Sequence, residues 1–314
     1  MNGETKNIQI SVITSLYRCS DFLDTFLQNY LAIDNLCQCE LIIIHNDPTQ
    51  LELDIIDRSV REEMNLVHIC VEREGLYSSW NRGVKLAKGN FVAVWNVDDI
   101  RTAGSLSGQF NALQKSGAAL CYGDFYGTSS HGAIRERFYE YGEYADFKRE
   151  IFKRHVIGCF PMWRKDIHLE IGYFDEQFKL AADFEFQLRV AVNYPLVKTD
   201  EILGYYLDYA AHKLSSNKLL QHSERTAIQL RYKLYDKLLI HFLPFVSRFR
   251  INHVKNFGVW INLSSLISVS NNEKPRPVIG LIRMPFSYSY WFIRWSSQQF
   301  VKRILNRNQN KKYS

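Results

Sequence analysis

Residues 91–99, with the sequence FVAVWNVDD, constrain the fold more than any other stretch of the chain. Phe91 and the three residues after it are apolar without alternation, which is typical of a strand covered on both faces in an α/β protein. Asn96, Asp98 and Asp99 follow where such a strand would end. In open α/β sheets, ligands bind in the crevice outside the carboxyl ends of the strands. The stretch therefore predicts a buried strand that delivers polar side chains to a ligand site.

The adjacent carboxylates Asp98 and Asp99 point to a divalent cation. Two like charges side by side repel each other, so their proximity needs a physical reason. Mg²⁺ and Mn²⁺ take oxygen ligands and are often shared with the phosphates of a substrate. We therefore expect Mn²⁺ or Mg²⁺ as a cofactor at this position. A polar turn at the end of a strand is the alternative explanation of the same two residues.

Strand-like and helix-like segments alternate over the first two thirds of the chain. Residues 8–14, 40–44, 66–71, 91–94 and 118–122 read as strands. Helical spacing of apolar residues occurs between them, and Gly89 is expected to cap the end of the helix over residues 78–88. This alternation predicts an α/β protein with a mostly parallel sheet flanked by helices.

Composition and charge set further limits. The hydrophobic share is 46%, enough for a large core. The first residues are polar and no apolar run reaches about 20 residues, so we expect neither a secretory signal nor a membrane-spanning helix. Six scattered cysteines fit buried thiols of a reducing compartment, which predicts a cytoplasmic protein.

The C-terminal region differs in charge from the rest of the chain. Residues 231–314 carry 15 Lys and Arg against 2 Asp and Glu, whereas residues 1–230 carry 24 against 31. The basic residues alternate with aromatic ones, which suits an anionic membrane surface. They are Trp260, Arg283, Trp291, Phe292, Arg294, Trp295, Phe300, Lys302, Arg303 and Arg307. A basic helical cap on the first domain explains the pattern equally well, and no nucleic acid is expected because no recognition motif accompanies it.

Two common nucleotide-binding classes lack their sequence support. No GxGxxG fingerprint follows the first strand and no GxxxxGK[ST] loop occurs. Dinucleotide oxidoreductases and P-loop enzymes are therefore disfavoured.

Five blocks, in order, resemble the family 2 inverting glycosyltransferases with the GT-A fold. They are residues 10–17 (ISVITSLY), 40–49 (ELIIIHNDPT), 75–83 (GLYSSWNRG), 95–99 (WNVDD) and 172–189 (GYFDEQFKLAADFEFQLR). The resemblance covers about residues 8–210. This sequence departs from the family pattern at three places: Asn96 replaces the usual first acid, His45 and Asn46 replace an acidic pair, and Ala182 replaces a Glu.

The resemblance implies a two-part organisation and an activity. Residues 1–220 would form the GT-A domain, with nucleotide-sugar binding over about 1–120 and the acceptor side over about 121–220. Residues 221–314 lie outside the resemblance, and their helical pattern and basic charge predict a mainly helical region that contacts a membrane surface or another subunit. The implied activity is metal-dependent, inverting transfer from a nucleotide-sugar, with a UDP-sugar as the best guess, to a hydroxyl of a glycan or lipid-linked acceptor in polysaccharide biosynthesis.

The resemblance also implies site residues on the donor side. Asp99 would be the direct metal ligand, with Asp98 near the ribose or a metal-bound water and His212 as a further polar contact. The donor would contact Thr14, Ser15, Tyr17, Asn46, Arg73, Gly75, Trp80, Asn81, Asn96 and Asp98. Several of these have ordinary alternatives: core packing for Thr14, Ser15, Tyr17 and Trp80, a plain turn at Asn46, and a solvated side chain for Arg73.

On the acceptor side, the resemblance implies that Asp183 is the general base, with Glu185 in reserve. An acceptor hydroxyl must lose its proton as it attacks, and a carboxylate within hydrogen-bond reach can take it. The alternative is that Asp183 only caps a helix. A different class of function also stays open, namely a catalytically silent scaffold that binds nucleotide or membrane, since the Asn96 and Ala182 departures favour it.

Overall fold

A computed structural model describes residues 7–33, 38–60, 64–133, 136–144, 157–208, 217–232 and 245–267. The strands in these ranges are β1 (Ile10–Leu16), β2 (Cys39–Asn46), β3 (Leu66–Val71), β4 (Phe91–Val94), β5 (Ile100–Arg101), β6 (Leu120–Tyr122), β7 (Phe125–Thr128), β8 (Arg137–Tyr139), β9 (Met162–Arg164), β10 (Leu196–Lys198), β11 (Gly204–Leu207), β12 (His253–Asn256) and β13 (Val259–Asn262). The helices are α1 (Ser20–Leu31), α2 (Gln50–Ser59), α3 (Leu76–Leu86), α4 (Ser105–Ser116), α5 (His168–Ile171), α6 (Ala182–Asn193) and α7 (Lys218–Arg231).

The central sheet of the described part has seven strands in the order β10-β6-β9-β4-β1-β2-β3. β1 pairs in parallel with β2 and β4, and β2 pairs in parallel with β3. Only β9 runs against its neighbours β4 and β6. The expected mostly parallel sheet flanked by helices is confirmed, and β3 and β4 have the bounds predicted from the sequence.

Helices cover both faces of this sheet, which is why β2 and β4 are buried along their whole length. On one face, apolar side chains of α1, α2 and α4 pack with β1 and β2 in a continuous core, for example Phe26, Ile55 and Leu106 with Val12 and Ile43. α3 lies on the other face, so close to β1 that a Cβ on Gly83 would lie 2.5 Å from the Cγ2 atom of Ile13.

Gly89 has a different role from the expected helix cap. α3 ends at Leu86 with Ala87 as its C-cap residue. A Cβ on Gly89 would lie 2.7 Å from the Gln9 carbonyl oxygen and 2.8 Å from the Ser11 amide nitrogen. Glycine is therefore required because the chain passes directly against β1 as it enters β4.

A second sheet, in the order β5-β11-β7-β8, follows directly from the end of β4. β5 starts at Ile100, one residue after Asp99, and pairs antiparallel with β11. β11 pairs in parallel with β7. This arrangement ties the acidic end of β4 to the chain around residue 205.

The chain divides into one unit of residues 1–216 and 252–269 and another of residues 217–251 and 270–314. The β12–β13 hairpin thus belongs with the first unit, and it carries Trp260. Its tight turn holds Phe257 (φ 49°) and Gly258 (φ 80°), as expected for a two-residue hairpin loop. In the second unit, α7 falls within the region predicted to be helical. The other residues of the basic and aromatic pattern, from Arg283 on, lie outside the described ranges. None of the helices in those ranges has both the length and the apolar composition needed to cross a membrane.

Candidate active site at the carboxyl edge of the sheet

The polar residues singled out in the sequence meet at one edge of the central sheet. β1, β2, β3 and β4 run in parallel, so their carboxyl ends lie at the same edge. Tyr17 follows β1, Asn46 ends β2, Arg73 follows β3, and Asn96 follows β4. The strand order therefore creates a common polar rim from segments distant in sequence, as ligand sites of open α/β sheets require.

Asp98 and Asp99 differ in their surroundings. Asp99 is 1% exposed, and its Oδ1 and Oδ2 atoms accept hydrogen bonds from the Leu207 amide and the Asn96 side-chain amide, both at 3.1 Å. Asp98 is only partly buried. Asp99 thus joins β4 to β11, and the more accessible Asp98 is better placed to meet a cation. This reverses the order expected from the resemblance, which makes Asp99 the direct ligand.

Residues 95–99, between β4 and β5, form the Asp98 turn. Arg101, which sequence inspection did not identify, supports this turn from the interior of the protein. It is buried, and its guanidinium donates to the Val94 carbonyl at 3.1 Å and to the Gln109 side chain at 2.9 Å. Burial lowers the pKa of Arg101 to about 10, and the nearby charge of Asp99 opposes that shift. A single arginine after an acidic pair gives no sequence signal for such a position.

Asn46 lies inside the protein rather than on a base-binding surface. It is 2% exposed, and its amide nitrogen donates to the hydroxyl oxygens of Ser15 at 3.2 Å and Ser79 at 3.1 Å. Its Oδ1 atom accepts from the Glu74 amide at 2.9 Å. Both ends of the amide are engaged, so Asn46 fastens the end of β2 to Ser15 of β1 and to the start of α3. This geometry argues against the expected contact of Asn46 with the nucleotide-sugar.

His45 occupies the neighbouring family acid position and is also structural. It is fully buried, with Nε2 3.4 Å from the Glu52 carboxylate and Nδ1 3.1 Å from Nε2 of His68. Burial lowers the pKa of His45, which favours the neutral ring. Burial alone would raise the pKa of Glu52, but hydrogen bonds from Cys19, Thr49 and His45 outweigh it and lower the pKa to about 2.

Tyr17 and Arg73 form the exposed part of the rim. Tyr17 is 37% exposed, and the Arg73 guanidinium lies over its ring at 3.9 Å and donates to its hydroxyl at 2.8 Å. The Arg73 amide donates to the Asp47 carboxylate at 3.1 Å. A stacked arginine and tyrosine at the ends of neighbouring strands offer a flat, cationic surface to a nucleotide. Sequence inspection missed Asp47, which has a positive φ of 41° at the turn after β2.

The α3 residues predicted to contact the donor fall into two groups. Gly75 is exposed at the N-cap of α3, beside the rim. Asn81 is fully buried, where it donates to the Phe174 carbonyl at 2.9 Å and accepts from the Phe174 amide at 2.9 Å. Trp80 is 7% exposed and packs edge-on against Phe174 at 5.3 Å. Asn81 and Trp80 therefore hold α3 to the loop before α6, and the core alternative describes Trp80.

Asp183 lies in the first turn of α6 and is half-buried. Its Oδ1 atom accepts hydrogen bonds from the Tyr77 hydroxyl at 3.2 Å and the Phe184 amide at 2.8 Å. Tyr77 is in the first turn of α3, and α3 follows the carboxyl end of β3. The candidate base therefore lies beside the start of α3, at the carboxyl edge of the sheet.

Glu185, the reserve base, is unsuited to meet an acceptor. It is fully buried, and its carboxylate pairs with the buried guanidinium of Arg189 at 2.6 Å. Arg189 also donates to the carbonyl groups of Ile171 and Tyr173. The pair fixes α6 to the preceding loop, and only Asp183 remains as the candidate base on this turn.

The other predicted contacts are less informative. Thr14 is fully buried within β1, consistent with its core alternative, and His212 lies outside the described residues. Within the described ranges, no three His, Cys, Asp and Glu side chains are arranged to hold a metal ion by themselves. Mg²⁺ and similar ions need only one or two carboxylates when substrate phosphates supply further oxygens, so the donor set of the Asp98 turn fits such an ion.

A cavity of about 490 Å³ opens elsewhere, at the amino edge of the sheet. Its lining includes Asn90 and Phe91 at the start of β4 and Lys85, Arg164 and Leu169. Because Phe91 starts β4 and Asp98 follows its carboxyl end, this cavity is not the rim described above. We place the candidate site at the carboxyl edge because the acidic and cationic side chains lie there, although the cavity is at the amino edge.

Two curated proteins show what the chain is similar to in sequence. A glycosyltransferase for PGL/p-HBAD biosynthesis from Mycobacterium tuberculosis is 25% identical over 162 residues, which is 50% of this chain and 60% of that protein. An uncharacterized glycosyltransferase of Methanocaldococcus jannaschii is 25% identical over 156 residues, 49% of this chain and 54% of that protein. The chain thus spans little more than half the length of these curated relatives.

Solved structures share the fold. The S. aureus TarS 1–349 crystal structure in complex with UDP-GlcNAc has a TM-score of 0.59 at 21% identity, covering 77% of this chain and 72% of that one. The mannosyltransferase PcManGT from Pyrobaculum calidifontis, in complex with GDP-Man and Mn²⁺, has a TM-score of 0.54 at 13% identity, covering 78% and 69%. At these identities the likeness establishes a GT-A-type architecture.

The family assignment rests on sequence. The model of the family described as glycosyl transferase family 2 matches residues 11–172, more than half of the 314 residues. The match includes β1, the β2 turn, the start of α3 and the Asp98 turn, all of which build the rim. The chain belongs to glycosyl transferase family 2.

Proposed function

We propose that this chain transfers a sugar from a nucleotide-sugar to a hydroxyl group of a glycan or lipid-linked glycan, with inversion at the sugar carbon. The observation that carries the proposal is the hydrogen bond from Tyr77 to Asp183, which brings Asp183 to the start of α3, at the edge of the sheet where β4 leads into the Asp98 turn. One carboxylate group on the donor side and one on the acceptor side are what such a reaction needs. The UDP-GlcNAc and GDP-Man in the names of the two structural neighbours support a nucleotide-sugar donor, and a UDP-sugar is our first choice.

On the donor side, the residues of the rim bind and orient the nucleotide-sugar. Tyr17 and Arg73 offer a flat cationic surface, and the start of α3 at Gly75 offers backbone amides with a positive helix end to the diphosphate. Asp98 would hold Mn²⁺ or Mg²⁺, with Asp99 and Asn96 fixing the turn. When bound, such an ion supplies a Lewis acid that offsets the charge on the leaving diphosphate.

On the acceptor side, Asp183 accepts the proton of the attacking hydroxyl. A single carboxylate opposite the leaving group supports direct displacement, because retention through a covalent intermediate would need a second carboxylate as nucleophile, by analogy with glycosidases. Glu185 cannot be that nucleophile, because its carboxylate is buried in an ion pair with Arg189.

The test is a donor panel with matched variants. The full chain is incubated with Mn²⁺ or Mg²⁺ and a set of UDP-sugars and GDP-sugars, beginning with UDP-GlcNAc and GDP-Man, and release of the nucleoside diphosphate is measured. Removing a general base should lower turnover about 10²- to 10⁴-fold in Asp183→Asn. Asp98→Asn should weaken binding of the metal ion, so that half-maximal turnover needs a higher concentration of Mn²⁺ or Mg²⁺. Asp166→Asn is the control, because Asp166 is an exposed carboxylate paired with Arg164 beside the amino-edge cavity. Full turnover by the Asp183 variant would remove the proposed role.

A catalytically silent nucleotide-binding scaffold is the second candidate. The neutral Asn96 at the usual first acid position and the burial of Asp99 favour it, because both reduce the negative charge available to a cation. Under this alternative, UDP or GDP binds with ordinary affinity while no donor in the panel is consumed. Turnover of one donor by the wild type, lost in Asp183→Asn, decides for the enzyme.

We also propose that the basic, aromatic region of residues 231–314 binds an anionic membrane surface from the cytoplasmic side. The support is the excess of 13 positive charges over residues 231–314. Juxtaposing the enzyme with a membrane would serve a lipid-linked acceptor.

A further inference from the structure

Tyr77 joins the donor-side helix α3 to the acceptor-side helix α6. It is the second residue of α3, and its hydroxyl donates to Oδ1 of Asp183 at 3.2 Å. The two residues are 106 positions apart in sequence, so the contact is a product of the fold. Tyr77 is 3% exposed, which places this hydrogen bond at the boundary between the interior and the site.

The position of the Tyr77 ring is fixed by packing rather than by this hydrogen bond. The ring lies edge-on to Trp80 at 5.2 Å and stacks on Phe174 at 5.9 Å. Phe174 is held in turn by two backbone hydrogen bonds to the Asn81 side chain and by a ring contact with Phe186 of α6 at 4.5 Å. One aromatic cluster therefore sets the relative positions of the Tyr77 hydroxyl and the turn that carries Asp183.

We propose that Tyr77 is a positioning residue for Asp183, and this role rests on the function proposed above. A phenol hydroxyl donates a strong hydrogen bond to a carboxylate oxygen. The bond therefore holds the Asp183 carboxylate in one orientation. In the transfer step, the acceptor oxygen forms a bond to the sugar carbon while the bond to the diphosphate breaks. The leaving diphosphate keeps the electron pair, the hydroxyl proton passes to Asp183, and Tyr77 keeps its own proton.

The location of Tyr77 on α3 allows a competing role in donor binding. α3 begins beside the rim, where a residue of the first turn can contact the nucleotide instead of the base. The two roles predict different kinetics. A residue that acts through Asp183 changes kcat, whereas one that holds the donor in ground state and transition state alike changes the donor KM.

The experiment is the conservative variant Tyr77→Phe, which keeps the ring and removes only the hydroxyl. With the donor selected from the UDP- and GDP-sugar panel, kcat should fall about tenfold to a hundredfold, the usual range for a hydrogen bond to a charged group. The donor KM and the binding of UDP or GDP should stay within about twofold. Tyr194→Phe is the matched control, because the Tyr194 hydroxyl donates to the Glu170 carboxylate at the opposite end of α6. It should leave kcat unchanged.

A second measurement tests the bond without turnover. The urea midpoints of Tyr77→Phe, Asp183→Ala and the double variant form a cycle, because Ala removes the acceptor oxygen that Asn would keep. The loss caused by Tyr77→Phe should largely disappear when Asp183 is already replaced by Ala. A loss of the same size in both backgrounds would show that the hydroxyl does not act on Asp183.

The outcomes separate this proposal from the proposed function. Turnover by the wild type with an unchanged kcat in Tyr77→Phe, or with a raised donor KM alone, overturns the role of Tyr77 and leaves the function in place. A Tyr77→Phe protein that does not fold assigns the hydroxyl to stability and also overturns it. Absence of turnover by the wild type with every donor overturns the proposed function, and the role of Tyr77 with it.

Discussion

At the scale of single residues, His168 shows how burial fixes a protonation state. It is 4% exposed, between the Trp163 indole and the Gly172 carbonyl. Its Nε2 atom accepts from the Trp163 N–H at 2.8 Å, so Nδ1, at 2.9 Å from the Gly172 oxygen, must carry the proton. The ring is therefore neutral. Burial lowers the pKa of His168 from 6.5 to about 4, although the bond to Gly172 opposes the shift.

This pKa shift predicts a loss of stability in mild acid. The unfolded chain binds a proton at His168 near pH 6.5, whereas the folded chain does not until about pH 4. The contribution of His168 is thus complete above pH 6.5 and lost as the pH falls toward 4, by up to about 3 kcal/mol. Urea unfolding of the wild type and His168→Gln at several pH values measures it. The free energy of unfolding should fall more steeply with acid in the wild type.

The comparison with His168→Gln isolates one histidine. His45 and His68 also have lowered pKa values, caused first by burial. They are present in both proteins, so their effects cancel in the difference. Parallel stability curves from pH 7.5 to 4.5 would contradict the assignment of His168 as a buried neutral ring.

Residue roles were predictable where they follow from a motif and obscure where they depend on packing. Asp98 and Asp183 were identified because acids follow a buried strand and open a helix at the family positions. Asn46 and Asn81 looked like ligand contacts, because the sequence does not show whether an Asn side chain is exposed or buried. Their burial at 2% and 0% comes from segments up to 95 residues away.

At the scale of elements, the loop before α6 is clamped from two sides. Asn81 of α3 holds Phe174 from one side. From β12, Asn256 accepts a hydrogen bond from the Tyr173 amide and donates to the Phe174 carbonyl, both at 3.0 Å. Because this loop leads into the turn that carries Asp183, the hairpin stabilises the acceptor side of the site from about 80 residues downstream.

Asn256→Ala should therefore destabilise the protein and loosen this loop. Asn256 is 4% exposed, and its removal leaves the Tyr173 amide without this partner, at a cost of about 2 kcal/mol. Urea unfolding gives the total loss, and hydrogen exchange of the Tyr173 amide reports the local effect. Asn262→Ala, at the exposed end of β13, is the control and should cost less than about 1 kcal/mol. Equal losses in the two variants would show that the clamp contributes nothing.

Some strands could also be predicted from the sequence, and others could not. β3 and β4 were predicted with their observed bounds because an apolar run, interrupted in β3 only by His68, marks a strand of a parallel sheet. The hairpin could not be placed from the sequence. β12 has a single apolar residue, Val254, and the hairpin packs on a loop whose position depends on the rest of the fold.

At the scale of the whole molecule, the parallel strand order accounts for the site. Placing β1 between β2 and β4 brings three strand ends to one rim, and the first turns of α3 and α6 meet beside it. The fold class was predictable because alternation of strands and helices leaves few topologies. The order of the strands, the antiparallel β9 and the pairing of β5 with β11 depend on long-range contacts that no local pattern encodes.

The uneven charge of the whole chain predicts that its basic C-terminal region binds an anionic membrane. Deleting residues 231–314 would also remove the β12–β13 hairpin of the first unit, so neutralising substitutions in the full chain are the better test.

Each Lys or Arg near an anionic surface contributes about 1 kcal/mol, so Lys302→Gln, Arg303→Gln and Arg307→Gln together should weaken binding to phosphatidylserine-containing vesicles about a hundredfold. Neutralising the exposed Lys88, Lys115 and Lys179 of the first unit is the matched control and should change binding little. Binding should also weaken as salt is raised. Equal effects of the two triple variants, or no binding by the wild type at low salt, would assign the basic residues to another role.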